Sequence, residues 1–282
     1  MSVEEYLKKK YGYCKKLKNG NYYVKTKDNT EIYVPKDFQP STKVFAYIPG
    51  AGGPGKDAEN IRRKMEGTDP DNYVVVIAPT SYDKTKILDQ AHTIITDNNS
   101  QVSGVVVSGF SMGARQTYVS LADYLTKHPE LADSSACIMT DGWVTNYKRE
   151  DLQIIRDNAI PILYVTGATT TMQNGANKLW TITKNLATNG FNVIAVRSHD
   201  YGHGGFNRDV ISNGFAQFLL GDRDDIGNVN VNTSNQKLAP RYEFYVWNAE
   251  KRKFELIVQI GDGTDFTKLD FIRVDLSNVF LI

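Results

Sequence analysis

One serine of this sequence stands between two glycines in a pattern that can make its hydroxyl a nucleophile. Residues 109–113 read Gly-Phe-Ser-Met-Gly, follow a β-branched run at 105–107, and lead directly into a helical pattern. A strand that turns this sharply into a helix strains the serine, and glycines on both sides remove side chains that would clash. The pattern therefore predicts that Ser111 lies exposed at the carboxyl edge of a sheet, with free N–H groups of a helix start behind it.

A serine hydroxyl needs a base to take its proton, and the sequence offers four histidines. His92 lies inside an earlier helical pattern, and His128 ends the helix that begins at Ser111, about 25 Å away at 1.5 Å per residue. His199 and His203 both follow the last predicted parallel strand. Glycines flank His203, so we favour it over His199 as the general base. A metal site at these two histidines has no evident third ligand, and we expect neither a metal nor a cofactor.

A glycine-rich turn can supply hydrogen-bond donors to the oxyanion that forms when the serine attacks a carbonyl. Gly50, Ala51 and Gly52 directly follow the predicted strand at 43–48. We expect the backbone N–H of Ala51 to join that of Met112 across the tetrahedral intermediate. The small residues Gly50 and Gly52 would let the acyl group approach the backbone.

The elements that must position these groups alternate between short apolar runs and helical patterns. This alternation predicts an α/β fold, a mostly parallel sheet with helices on both faces. The predicted helices after the N-terminal one are at roughly 58–66, 86–97, 111–127, 149–158, 172–189 and 206–220. The predicted strands are at 21–25, 31–34, 43–48, 73–78, 104–108, 136–140, 162–166 and 193–197.

The alternation of apolar runs and helical patterns ends at residue 221. This change predicts that the chain has three parts. An α/β domain spans 1–221, a polar linker spans 222–240, and a small β-rich C-terminal module spans 241–282. The module is predicted to contain a hairpin around 248–252 and a third strand at 271–274. Its aromatic residues suit a small core, or a surface for contact with protein or carbohydrate.

Composition excludes several classes of partner. The formal net charge of +1 gives no general attraction to nucleic acid or to anionic lipid, and hydrophobic residues at 41% are ordinary for a globular protein. The first ten residues carry charges where a signal peptide needs an apolar core, and no later stretch suits a membrane span. We therefore expect a soluble, cytoplasmic protein, with incorporation into a larger assembly left open.

The order of a glycine-rich turn, a Gly-Phe-Ser-Met-Gly elbow and a Gly-His-Gly after the last strand resembles the α/β-hydrolase superfamily. The resemblance is strongest to its small esterases of the feruloyl-esterase and dienelactone-hydrolase kind, and it covers about residues 43–220. It implies an α/β-hydrolase-type sheet and a serine esterase that acts through an acyl-enzyme on Ser111, with His203 as base and Ala51 and Met112 as oxyanion donors. The substrate implied is a small-molecule or sugar-linked ester.

The acid of the triad is where this sequence departs from that family. The acid usually follows the strand at 162–166, but residues 168–171 here read Ala-Thr-Thr-Thr. We assign the acid to Asp141, which ends the preceding strand at the same edge of the sheet. Asp200, a dyad assisted by Thr170, and the absence of any acid stay open. Trp143 follows Asp141 closely and is assigned to the substrate pocket.

Two other functions stay open. The turn from Gly50 to Lys56 has the Gly-x-x-x-x-Gly-Lys spacing of a phosphate-binding loop, but Asp57 stands where Ser or Thr must hold magnesium, and Pro54 removes a backbone donor. A hydrolase fold without turnover, used for binding or structure, is favoured by the missing carboxylate at Thr170. The intact serine, histidine and glycine-rich turn oppose it.

Overall fold

A computed structural model of the 282-residue chain describes residues 1–54, 58, 61–62, 73–80, 86–144, 149–167, 175–198, 203 and 242–260. Its helices are α1 (Val3–Tyr11), α2 (Lys86–Asp97), α3 (Ala114–Leu125), α4 (Gln153–Asp157) and α5 (Gly175–Thr188), with 3-10 turns at Pro129–Ser134 and Glu150–Leu152. Its strands are β1 (Lys15–Lys16), β2 (Tyr22–Lys25), β3 (Glu31–Val34), β4 (Ser41–Ile48), β5 (Tyr73–Ile77), β6 (Gln101–Phe110), β7 (Ser135–Thr140), β8 (Ile162–Gly167), β9 (Val193–Ser198), β10 (Tyr242–Asn248) and β11 (Lys253–Ile260).

These strands form one sheet whose centre is parallel. The order is β1-β2-β3-β5-β4-β6-β7-β8-β9-β10-β11, and the run from β5 to β9 is parallel throughout. Antiparallel strands β1 to β3 extend it on one side, and antiparallel β10 and β11 on the other. Because β4 and β6 are parallel neighbours, the turns that follow these two strands lie at the same edge of the sheet.

Burial on both faces explains the continuous apolar runs in the central strands. All five residues of β5 are buried, as are all six of β7. Alternate residues of β4 divide between the faces: Val44 and Ala46 pack into the core with apolar residues of all five helices, and Phe45 and Tyr47 pack on the opposite face. There the described helical residues include Ala58 and Ile61, so helices contact both faces of the sheet.

The sequence analysis predicted the central elements with small errors at their ends. α3 begins at Ala114 rather than at residue 111, because residues 111–113 form the turn that carries the serine. The segment predicted as a helix at 149–158 begins as a 3-10 turn before α4. The helix predicted at 206–220, the linker at 222–240 and the strand at 271–274 lie outside the described residues.

The predicted C-terminal hairpin is present, and it continues the main sheet. β10 pairs antiparallel with β9 and with β11, with Tyr242 opposite Ser198 in the first pair. Trp180 of α5 contacts Tyr245 and Phe254, with ring centroids 4.8 and 5.5 Å apart. The hairpin therefore packs on a helix of the α/β unit, whereas the division of the chain into domains stays a prediction. Among the described residues, no helix has the length and apolar character that crossing a membrane requires.

A cluster of rings joins the C-terminal end of α3 to α2, at the opposite end of α3 from Ser111. His92 Nδ1 lies 2.7 Å from the Tyr124 hydroxyl, and the His92 and His128 rings stack with centroids 4.1 Å apart. His128 Nδ1 lies 3.6 Å from a carboxylate oxygen of Glu130. Burial, and the neighbouring His128, lower the pKa of His92 below its ordinary value.

We expect this cluster to make the fold less stable in mild acid. The pKa of His92 is lower in the folded than in the unfolded chain, so its contribution is fully present above the unfolded pKa, about 6.5, and is lost as pH falls toward the folded pKa. When the pH is lowered from 7.5 to 5.0, the Tm of the His92→Gln variant should fall by less than the Tm of the wild type, measured by circular dichroism. Equal losses in the two proteins would contradict this assignment.

Candidate active site

Ser111 occupies the strained turn that its sequence context predicts. Its φ of +52° lies in the left-handed region, which costs an L-residue roughly 1–2 kcal/mol. The Ser111 N–H donates to the Thr140 carbonyl at 2.9 Å, and the Gly113 N–H donates to the Phe110 carbonyl at 2.8 Å. The turn is thus fastened to the end of β7, and α3 starts directly behind it.

The two glycines of this elbow, residues 109–113, are required by close backbone contacts. A Cβ added to Gly109 would lie 2.6 Å from the Gly113 carbonyl oxygen. One added to Gly113 would collide with the carbonyl oxygens of Ile48 and Pro49. The start of α3 therefore lies directly against the end of β4. Both glycines stand where an added side chain would clash, as the sequence pattern predicts.

The glycine-rich turn after β4 lies against the serine. A Cβ added to Gly50 would be 3.2 Å from Phe110 Cδ1 and 3.3 Å from Ser111 Cβ. The turn is closed by a hydrogen bond from the Gly53 N–H to the Gly50 carbonyl at 3.0 Å, and it leaves Ala51 and Gly52 exposed. The predicted donor turn and the predicted nucleophile are neighbours.

Two backbone N–H groups stand at this junction, where the sequence predicts oxyanion donors. Among the described residues, the N–H groups of Ala51 and Met112 have no hydrogen-bond acceptor. Ala51 follows Gly50 in the turn beside the elbow, and Met112 follows Ser111 within it. Unpaired N–H groups flanking a serine are the arrangement that an oxyanion requires.

Asp141 and His203 are hydrogen-bonded to each other, although 62 residues separate them. Oδ2 of Asp141 contacts Nδ1 of His203, and the Asp141 carboxylate is fully buried while the imidazole is 27% exposed. Asp141 also adopts a left-handed φ of +48°, which aspartate tolerates better than most residues. The structure thus brings together the sequence-assigned acid and base, while Asp200, Thr170 and His199 lie outside the described residues.

This pair lies beside the elbow. The His203 ring packs on the Phe110 ring with centroids 4.6 Å apart, and Phe110 precedes Ser111 in the chain. A Cβ added to Gly142 would be 2.5 Å from the Ser111 carbonyl oxygen, so the turn after β7 also contacts the elbow. Because Nδ1 is engaged by Asp141, Nε2 is the ring nitrogen left to accept a proton.

The described residues include no hydrogen bond between the Ser111 hydroxyl and His203. In active sites of this kind such bonds are often long without substrate and shorten in the complex. Ser111 is partly exposed, as is the imidazole, so both groups are accessible from solvent.

Trp143 follows the end of β7, and Thr166 lies near the end of the neighbouring strand β8. Trp143 is 39% exposed, which is unusual for a tryptophan, and it stands two residues beyond Asp141. The hydroxyl of the buried Thr166 donates to Asp141 Oδ1 at 2.8 Å. Sequence reasoning missed Thr166, because nothing distinguishes it from the other threonines that end strands.

The other readings of the sequence gain no support from this geometry. Lys56 and Asp57, which a phosphate-binding loop would use, lie outside the described residues. Within the described ranges, no group of three or more histidine, cysteine, aspartate or glutamate residues could hold a metal ion. The features that lie near one another at this edge are the strained elbow of Ser111, the hydrogen-bonded pair of Asp141 and His203, and the glycine-rich turn after β4.

Comparison with known proteins gives a likeness in fold alone. No family model and no curated protein matches the sequence. Among solved structures, an arylesterase has 13% identity and a TM-score of 0.47, covering 78% of this chain and 90% of that one. An S-formylglutathione hydrolase from Agrobacterium tumefaciens has 12% identity and a TM-score of 0.45, and the match covers 72% of this chain and 94% of that one. An esterase from Pyrobaculum calidifontis has 14% identity and a TM-score of 0.44, and the match covers 82% of this chain and 94% of that one.

The sheet order and the strained elbow after β6 give this chain an α/β-hydrolase-type fold. The fold class expected from the sequence is therefore confirmed. Function has to be argued from the site, because one fold supports many activities.

The close approach at Gly113 gives a test of the elbow that is independent of activity. Gly113→Ala should lower the free energy of unfolding by roughly 2 kcal/mol, because its methyl group would overlap the carbonyl groups that end β4. Gly52→Ala is the matched control, since an added Cβ there meets no atom within 4 Å. Denaturant unfolding measures both, and equal stability of the two variants would contradict the packing described here.

Proposed function

We propose that this chain is a serine hydrolase that cleaves carboxylic esters through an acyl-enzyme on Ser111. The observation that carries the proposal is the contact between the buried Asp141 carboxylate and Nδ1 of His203, directly beside a strained serine elbow. Hydrolysis through a serine needs a nucleophile, an oriented base and oxyanion donors, and candidates for all three lie at one edge of the sheet.

In this mechanism His203 Nε2 takes the proton of the Ser111 hydroxyl as its oxygen attacks the ester carbonyl. The resulting imidazolium is stabilised by the ionised Asp141. The imidazolium then gives its proton to the departing alcohol, which leaves an acyl group on Ser111. Water, activated by the same imidazole, hydrolyses this acyl-enzyme and returns the site to its starting state.

The backbone supplies the stabilisation of the developing negative charge. The N–H groups of Ala51 and Met112, which have no acceptor among the described residues, would donate to the oxyanion. Because Gly50 has no side chain, the donor turn can lie against the elbow. Removing one such donor in other enzymes costs about 10²–10³ in turnover, so this pair would be a main source of the rate.

The substrate class proposed is a small-molecule or sugar-linked ester. The partly exposed Trp143 lies two residues beyond Asp141 in the chain, and its apolar ring can pack on the face of an aromatic group or a sugar. Space is also open at Gly52 of the glycine-rich turn, where an added Cβ would meet no atom within 4 Å.

Removing the nucleophile or the base should abolish ester hydrolysis. Ser111→Ala and His203→Ala should each lower the turnover of p-nitrophenyl acetate by at least about 10³-fold, because each removes a member of a unit that acts together. Ser134→Ala, which removes a hydroxyl that donates to the Leu131 carbonyl at 3.4 Å, is the control and should keep wild-type turnover.

A fluorophosphonate probe should label wild-type protein at Ser111, as peptide mass spectrometry would detect, and should not label Ser111→Ala. A wild-type protein that neither hydrolyses the ester nor reacts with the probe would identify the chain as a hydrolase fold without turnover. Wild-type rates in both variants would overturn the assignment of the site.

Removing the charge of the proposed acid should also lower turnover strongly. Asp141→Asn should lower kcat by about 10⁴-fold, because the amide cannot stabilise an imidazolium and favours the wrong tautomer of His203. The control is Asp151→Asn, which changes an exposed carboxylate that pairs with Arg149. If both variants keep wild-type kcat, Asp141 is not the acid.

A further inference from the structure

We propose that Thr166 is a positioning residue that aims the Asp141 carboxylate at His203 and holds it ionised. The inference rests on the proposed function of the same site. Its basis is the hydrogen bond that the Thr166 hydroxyl donates to Oδ1 of Asp141 at 2.8 Å.

The two oxygens of the Asp141 carboxylate have different partners. Oδ1 accepts from the hydroxyl of Thr166, and Oδ2 contacts Nδ1 of His203. A carboxylate turns readily about its last single bond, since that torsion is broad. A donor on one oxygen restrains this rotation and keeps the other oxygen in line with the imidazole.

Because Thr166 and Asp141 are both buried, this hydrogen bond also affects the charge of the Asp141 carboxylate. Thr166 has no exposed surface, and Asp141 is 1% exposed. A carboxylate removed from water becomes protonated unless hydrogen bonds or positive charges stabilise its ionised form. The Thr166 hydroxyl provides such a bond where solvent cannot.

The register of the sheet places the two residues together. Thr140 of β7 pairs with Val165 of β8, so Asp141 and Thr166 occupy the next positions along the two strands. The Asp141 N–H donates to the Val165 carbonyl at 2.8 Å, which fixes the backbone of Asp141 on β8 as well. Thus β8 does not carry the acid itself, but it forms hydrogen bonds with both the backbone and the carboxylate of Asp141, which follows β7.

Loss of the hydroxyl should change the titration of the acid and base, in addition to the rate. Without the Thr166 donor, negative charge is less dispersed on Asp141 and attracts the proton on His203 more strongly. The acid limb of the pH profile of kcat/KM, which reports protonation of the pair, should move to higher pH. A residue that only fills space would lower stability without moving this limb.

The test compares Thr166→Val, Thr166→Ser and a control in hydrolysis of p-nitrophenyl acetate. Thr166→Val should lower kcat about tenfold with little change in KM and should shift the acid limb upward, because it keeps the shape and removes the donor. Thr166→Ser restores a hydroxyl and should restore both properties. Thr183→Val, which removes an equally buried hydroxyl bonded to the Leu179 carbonyl at 2.7 Å, should change neither.

Wild-type kcat and an unmoved acid limb in Thr166→Val would overturn the inference, as would a loss that Thr166→Ser does not restore. Failure of the proposed function is a different result, namely wild-type activity in Ser111→Ala. The Nδ1 proton of His203, assigned in the NMR spectrum by its absence in His203→Ala, gives a readout without turnover. Its signal should move in Thr166→Val and return in Thr166→Ser, and an unmoved signal would overturn the inference even in a protein that hydrolyses no ester.

Discussion

The hydrogen bond between the Asp141 carboxylate and His203 is the interaction on which the site depends. It joins the end of β7 to a residue beyond β9, across a carboxylate that has no exposed surface. A buried charge is costly when it lacks partners, so Asp141 is stable in this place because His203 and Thr166 each satisfy one of its oxygens. The same requirement sets the orientation of the imidazole, since only one edge of the ring can face the acid.

Close backbone packing places the serine beside this pair. The elbow is attached to β7 through the Ser111 N–H, and its second glycine lies against the carbonyl groups that end β4. Because β4 and β6 are neighbours in the sheet, the donor turn and the serine follow adjacent strands. The strain at Ser111 is supported by contacts on both sides, which is how a left-handed serine can persist in a folded chain.

The contact between Asp141 and His203 illustrates how neighbouring strands can supply the same kind of group to one edge of a sheet. Adjacent parallel strands end at the same edge, so a carboxylate on β7 can contact an imidazole that a carboxylate after β8 would otherwise meet. The threonine at the end of β8 then contacts the carboxylate instead of replacing it. Position along the chain is therefore a weaker constraint on such a group than position at the edge.

By itself the sequence determined the central strands and helices, the elbow at Ser111 and the glycine-rich turn after β4, and it favoured His203 over His199 as the candidate base. These features depend on local patterns: apolar runs for strands buried on both faces, and glycines where no side chain fits. It left the acid open between Asp141, Asp200 and none. No local pattern indicates which carboxylate meets a histidine 62 residues away, because that depends on the order and register of the strands.

Only the tertiary structure decided that Asp141 contacts His203, that Thr166 bonds to Asp141, and that β10 joins β9 in the main sheet. Each of these is a contact between residues far apart in sequence, or between neighbouring strands whose pairing the sequence does not state. The sequence assigned the C-terminal hairpin to a small module, because strand patterns show that a segment is extended but not which edge it pairs with. Local patterns fix which residues can do chemistry, and the pairing of distant strands decides which of them meet.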